Sequence, residues 1–394
     1  MVPKGWKKRD LHKLITIKHG FAFKSEYFSN DGQYVLLTPG SFNESGGFRN
    51  QGPKTKFYSG PIPNGYLLSK GDLLLAMTEQ AEGLLGSPLF VPEDNKYLHN
   101  QRLGLVEINC PDKICSDFLY LLFNHADSRK QITEQSTGTK VKHTSPDRLC
   151  SVIGLIPPLL EQKKIAQILS TWDKAIAVTE KLLANSQKQK KALMQQLLTG
   201  RKRLRDENGV RFNGKWEKKL LSDVADVYQP KTISQSMMSD SGYPVYGANG
   251  VIGFYQEFNH ETEQIAVTCR GSTCGIVNWT QAKSWITGNA MVINTDNYSY
   301  VSKKFLFYTL NGSDLKYLIS GSGQPQITGN IKTHIINLPC IEEQQKIATV
   351  LSAADAEIYT LEKKLACLRD EKKALMQQLL TGKRRVKVDE AVAE

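Results

Sequence analysis

The chain has 394 residues, of which 40% are hydrophobic and 23% charged, and it carries a formal net charge of +12 at pH 7. That length suffices for two or three domains with their own cores. No apolar run reaches the roughly 18 residues a membrane span needs. The opening Met1-Val2-Pro3-Lys4 lacks the apolar stretch of a signal peptide. The seven cysteines are an odd number at irregular spacing and include no Cys-x-x-Cys; reduced thiols in a cytoplasmic protein are expected.

In chain order, residues 1–158 read as a first α+β globular domain. It opens on Gly5-Trp6-Lys7-Lys8-Arg9-Asp10-Leu11 and carries β-type runs at Tyr34–Leu37, Asp72–Met77 and Leu103–Ile108. A short amphipathic helix (Phe118–Leu122) follows, then a polar loop (Ser136–His143) and an apolar strand ending at Pro157-Pro158.

Residues 159–200 read as one long helix. Ile165, Leu169, Trp172, Ile176, Thr179, Leu183, Ser186, Lys190, Leu193 and Leu197 recur at alternating steps of four and three, the seam of a coiled coil. No Pro or Gly interrupts the run, and Gly200 stands where a helix ends on a left-handed residue. A basic linker (201–215) leads to a second α+β domain (216–340). It opens on Lys215-Trp216-Glu217-Lys218-Lys219-Leu220 and has strands at Ile265–Thr268 and Ala290–Asn294, a short helix at Phe305–Tyr308 and a polar loop at Gly321–Thr328. A second long helix (341–382) closes on Gly382, before a tail of residues 383–394; its seam is Ile347, Leu351, Ala354, Ile358, Leu361, Leu365, Leu368, Lys372, Leu375 and Leu379.

The two helices are copies. Lys190–Gly200 and Lys372–Gly382 are both KKALMQQLLTG, and 25 of the 45 positions from Leu160 to Leu204 are identical at an offset of 182. So long a period implies two similar halves rather than a solenoid. Two such helices can pair in parallel or antiparallel; antiparallel is favoured, because each helix then carries its own domain to the opposite end of the rod, under a pseudo-two-fold axis. A plain dimerisation coiled coil would show the same seam.

Positive charge is concentrated. Residues 161–215 hold an excess of eight, against four in 1–160 and none in either 216–340 or 341–394. A basic stripe suits a polyanion, commonly nucleic acid, although a solvated helix end reads the same way. Similar scaffolds with dissimilar polar loops fit one task done on two targets. Arg and Lys pair with guanine in a DNA groove, and Asn and Gln with adenine. Candidate DNA-contacting residues are Lys24, Lys54, Lys56, Thr78, Gln101, Arg102, Lys140, Lys142 and His143 in the first domain. In the second they are Asn249, Arg270, Thr273, Gln324 and Gln326.

Catalytic motifs are missing. Asp147 with Glu161-Gln162-Lys163 resembles a nuclease set, but Glu161 opens the long helix and the second copy, Glu343-Gln344-Gln345, lacks the Lys. Ile156-Pro157-Pro158-Leu159 is not the Asn-Pro-Pro-aromatic motif of amino-methyltransferases, and Gly138-Thr139-Lys140 is not a phosphate-binding loop. Gly271–Gly275 reads as a turn. The His residues have no ligand spacing, and Cys269 and Cys274 have no His near them in sequence, so no metal or catalytic site is expected.

Together these features resemble the DNA-specificity subunit of type I restriction–modification systems. The marks are the doubled Glu-Gln-x-x-Ile-Ala…Leu…Asp…Ile helix, each copy ending in Lys-x-Leu-Met-Gln-Gln-Leu-Leu-Thr-Gly. Further marks are Gly20-Phe21-Ala22-Phe23-Lys24-Ser25 and Asn100-Gln101-Arg102-Leu103-Gly104 in the first domain. In the second they are Tyr243–Gly253 and Gln324-Pro325-Gln326-Ile327. The resemblance implies two target-recognition domains (1–158 and 216–340) held apart by the two helices, a bipartite double-stranded DNA target with a non-specific spacer, and a subunit without catalysis of its own. It also implies two methyltransferase subunits docked on the helices, joined by restriction/translocase subunits, with S-adenosylmethionine, ATP and Mg carried by those partners. The competing reading is an interaction scaffold without DNA readout.

Overall fold

The computed structural model describes residues 2–79, 81–138, 141–321 and 324–388. These fall into two compact units, residues 1–178 with 365–394, and residues 179–364. Each unit therefore holds one α+β domain, the first part of one long helix and the last part of the other.

The first unit is built on a four-stranded antiparallel sheet in the order Ile15–His19, Leu103–Ile108, Leu73–Ala76, Pro88–Phe90. Its central strand, Leu73-Leu74-Leu75-Ala76, is buried on both faces, which is why it reads as a continuous apolar run rather than an alternating one. Leu73 and Leu75 face a core with Phe118, Leu119, Leu122 and Phe123 of the helix Ser116–Asn124. Leu74 and Ala76 face Val35, Leu37, Phe42 and Tyr97. The latter core lies under a second sheet, in which Tyr34–Leu36 runs parallel to Tyr97–Leu98.

The second unit repeats this plan with other residues. Its main sheet orders Asp226–Tyr228, Ala290–Asn294, Ile265–Thr268 and Val277–Trp279, all antiparallel. Ile265 and Val267 pack on Phe305, Leu306 and Tyr308 of the helix Lys303–Asn311. Ala266 packs on Tyr246, Ile286 and Val292 on the other side. Tyr243–Tyr246 runs parallel to Trp285–Ile286 in the second sheet. In each unit a short antiparallel ribbon leads into the long helix: Lys7–Arg9 with Gly154–Ile156, and Glu217–Leu220 with Ile335–Leu338.

The long helices run Leu159–Leu197 and Ile341–Leu380. Both end as their sequences require: Gly200 and Gly382 adopt φ of +69° and +68°, the left-handed conformation that glycine takes without a Cβ penalty. Within each unit the two helix segments are antiparallel. In the first, Glu161 meets Arg385 and Asp173 meets Lys372, so advancing along one helix retreats along the other. In the second, Glu343 meets Arg203 and Asp355 meets Lys190. Ile165, Leu169 and Leu379 are buried in the first unit's core, and Leu197, Ile347 and Leu351 in the second's. Leu365 is also buried, while Trp172, Ile176, Leu183, Leu193, Ile358, Leu361 and Leu375 are half-buried along the helices. The seam thus merges with a domain core at its ends.

The carboxylate that opens each helix is structural. Glu343 accepts from Arg203 Nε and Nη2, both at 2.6 Å, and from the Trp216 indole at 3.1 Å. Glu161 does the same with Arg385 Nε at 3.0 Å, Nη2 at 2.5 Å and the Trp6 indole at 3.2 Å. The adjacent amides, Gln162 and Gln344, each donate to the proline carbonyl before the helix (Pro157 and Pro339), at 2.8 Å in both cases. No helix among the described residues is long and apolar enough to cross a membrane.

Candidate nucleic-acid interface

In each domain three segments meet where the central strand leaves the sheet. The residue just past that strand is the junction. In the first domain Met77 N–H donates to Arg102 O at 2.9 Å, and Met77 O accepts from Thr144 N at 3.0 Å. In the second, Cys269 N–H donates to Asn289 O at 3.1 Å, and Cys269 O accepts from Ile327 N at 3.0 Å. Two residues on, Glu79 N–H meets Lys142 O at 2.9 Å, and Gly271 N–H meets Pro325 O at 3.0 Å. The polar loops are closed by reciprocal backbone bonds, Thr137 with His143 (3.0 and 2.8 Å) and Ser320 with Gln326 (2.8 and 2.9 Å). Thr78 bridges His143 and Arg270 bridges Gln326. The same hydrogen-bond pattern is therefore built twice, from different side chains.

This junction gathers many of the residues singled out from the sequence. In the first domain it holds Thr78, Arg102, Lys142 and His143. The Thr78 hydroxyl lies 3.2 Å from His143 Nδ1, and Lys142 Nζ is 3.7 Å from Glu79 Oε2, so part of that cationic charge is already neutralised. Gln101 is adjacent, but it turns its amide oxygen into the protein, where the oxygen has no hydrogen-bond partner among the described residues. Lys140 lies outside the described residues. In the second domain Arg270, Gln324 and Gln326 sit at the junction and Thr273 in the hairpin loop beside it. Asn249 is exposed at the tip of the turn closed by Gly247 N–H on Gly250 O at 3.0 Å. The Thr268 hydroxyl donates to Ala248 O and ties that turn to the end of the central strand.

Lys24, Lys54 and Lys56 are placed elsewhere, around the second sheet of the first domain. Lys24 lies 3.7 Å from Glu26, and Lys56 lies over the Phe28 ring at 5.5 Å. Among the described residues no hydrogen bond or ion pair joins these three to the junction. The basic run after the first helix is partly structural: Arg203 is committed to Glu343, and Arg205 donates to Gly209 O at 2.9 Å, whereas Arg201 and Lys202 are exposed. Among the described residues, no three His, Cys, Asp or Glu side chains come together as a metal site would need.

Sequence reasoning missed Asn289, which occupies the place of Arg102. The available signal was position: each stands immediately before a long sheet strand, Leu103–Ile108 or Ala290–Asn294.

The chain matches the family described as type I restriction modification DNA specificity domain, at residues 3–185 and again at 213–367. It is 26% identical over 314 residues to the type I restriction enzyme MjaVIII specificity subunit of Methanocaldococcus jannaschii, covering 72% of this chain and 74% of that one. It is 27% identical over 362 residues to the putative MjaX specificity subunit of the same organism, covering 82% and 80%. The crystal structure of a type I restriction–modification S subunit from M. genitalium has the same fold, with a TM-score of 0.67 at 16% identity over 96% of both chains. A chain from a structural study of type I complex assembly and conformational transition matches with a TM-score of 0.57 at 17% identity, over 98% of this chain and all of that one. Since the family match spans both halves of the chain, this protein belongs to the type I restriction–modification DNA specificity family.

Proposed function

We propose that this chain reads a bipartite double-stranded DNA target, one half-site per domain, and recruits methyltransferase and restriction/translocase subunits without catalysing either reaction itself. The observation that carries the reading is the junction built twice on one hydrogen-bond pattern with different side chains. A scaffold with no readout role has no need of two divergent polar junctions beside an eleven-residue segment kept identical. S-adenosylmethionine, ATP and Mg belong to the partners in this reading.

Recruitment at two equivalent places is supported by the repeat itself. Lys191, Ala192 and Gln196 are exposed, and so are their identical counterparts Lys373, Ala374 and Gln378. Packing within this chain does not require exposed residues to match; one partner bound twice does. Each unit also has a groove beside its Leu-Leu-Thr helix end. One, of about 830 Å³, is lined by Met194, Leu198, Thr199 and Gly312; the other, of about 480 Å³, by Leu122, Ile153, Leu380 and Thr381.

The test exchanges residues 216–340 for those of a relative and maps methylated sites in cells that supply the methyltransferase. One half of the target should change while the other is retained. Alteration of both halves, or methylation by the purified chain with S-adenosylmethionine and no partner, would overturn the reading.

A further inference from the structure

We propose that Arg102 and Asn289 are equivalent base-reading positions, each fixing one base of its own half-site. This rests on the DNA-reading function proposed above.

Their equivalence is geometric. Each accepts, through its carbonyl, the amide of the residue that follows the central strand, Met77 at 2.9 Å or Cys269 at 3.1 Å, and each directly precedes a sheet strand. The backbone beneath both is pinned by an unusually close approach to the segment that follows the domain's first sheet strand. In the first domain the glycine is on that segment: a Cβ on Gly20 would lie 1.9 Å from Asn100 O. In the second it is on the reading segment: a Cβ on Gly288 would lie 2.8 Å from Pro230 O. The same tight contact is thus reached with glycine on opposite partners, as only glycine allows at that distance. Asn100 Oδ1 accepts from Arg102 N–H at 3.0 Å, and Gln229 Nε2 donates to Gly288 O at 3.2 Å, bracing each segment further.

The side chains themselves are uncommitted. Among the described residues neither the Arg102 guanidinium nor the Asn289 amide makes a hydrogen bond or ion pair, while neighbouring polar groups such as Gln229 and Thr268 are engaged. Arg102 is exposed and Asn289 half-exposed. A free planar fork on a rigid backbone is what base recognition requires. Arg matches O6 and N7 of guanine, and Asn matches N6 and N7 of adenine. An amide at the same position can donate to a phosphate oxygen but neutralises no charge, so the motif at Asn289 and the salt slope at Arg102 together tell base reading from phosphate holding.

The experiment uses the full chain with its methyltransferase partner and maps methylated motifs for wild type, Asn289→Arg, Asn289→Ala and Arg102→Asn. Asn289→Arg should replace adenine by guanine at one position of the second domain's half-site, with discrimination of about 5- to 150-fold, and leave the other half-site intact. Arg102→Asn should do the reverse in the first domain's half-site. Asn289→Ala should relax that one position and leave the salt dependence of DNA binding unchanged; it is the control should the larger side chain impair folding, which a thermal melt reveals. Unchanged motifs in all three variants, beside a defined wild-type motif, overturn this inference alone. So does a uniform affinity loss for Arg102→Asn with the salt slope reduced by about one, the mark of a phosphate contact. Wild type with no sequence-selective binding overturns the DNA-reading function together with it.

Discussion

Replacing Glu343 by Gln isolates the contribution of the ion pair that opens the second helix. The Glu343 side chain is 1% exposed and accepts three donors, two from Arg203 and one from Trp216. A carboxamide keeps one acceptor oxygen and turns an NH2 toward groups that can only donate, and the charge that balanced the guanidinium is gone. Breaking a buried pair from one side costs about 3–5 kcal/mol. The Arg203 side chain is 20% exposed and can recover some hydration, so the lower end, about 3 kcal/mol, is expected. At about 2–4 °C per kcal/mol for a domain of this size, the second unit should melt about 6–12 °C lower. Glu161→Gln makes the same chemical change in the first unit, but Arg385 is 41% exposed, so its shift should be clearly smaller. The double variant Arg203→Met/Glu343→Leu should regain much of the loss, because it leaves no unpaired charge. Thermal melts in a double-mutant cycle read all of this. Equal shifts for Glu161→Gln and Glu343→Gln, or additivity of the double variant within about 0.5 kcal/mol, would refute the reasoning.

Two further outcomes follow from burial. Burial lowers the His99 imidazole to about 4; its Nε2 lies 2.9 Å from Leu103 O and its Nδ1 has no hydrogen-bond partner among the described residues. Between the ordinary value of 6.5 and about 4 the unfolded chain binds a proton that the folded one does not, so stability should fall by roughly 3 kcal/mol as pH drops through that window. Unfolding titrations of His99→Gln should lose that slope; an unchanged slope contradicts the assignment. Leu379 is buried in the first unit's core and Leu197 in the second's. A charge buried at either without a partner costs several kcal/mol. Limited proteolysis should therefore open the first domain in Leu379→Glu and the second in Leu197→Glu; the same cleavage pattern in both would count against this division.

The long helices were legible because a seam of apolar residues at steps of four and three and a terminal glycine are local signals that repeat. The central strands Leu73–Ala76 and Ile265–Thr268 were legible as unbroken apolar runs. The pairing of Glu161 with Arg385 was not, since the partners are 224 positions apart and no periodicity links them. In the sequence Glu161 stands with Asp147 and Lys163 in a nuclease-like set that its place at the helix start and the second copy argue against; its real partners, an Arg and a Trp, are visible only in the folded chain. At the candidate interface, polar composition located the loops but not their register. Lys24, Lys54 and Lys56 share the residue types of the junction without sharing its place. Asn289 was passed over because its role depends on which carbonyl the residue after the central strand contacts.

The division of the helices between units has a consequence for the order of biosynthesis. Residues 179–364, which make up the second unit, are contiguous, whereas the first unit needs Leu379, Leu380 and Arg385 to complete the core begun by Trp6 and Leu11. On the ribosome the domain that starts first must therefore wait, with an apolar face uncovered, until the whole of the other has emerged. Domains generally fold as they emerge, N-terminal first; here the N-terminal domain closes last. Its waiting intermediate is the species most exposed to chaperones and to aggregation.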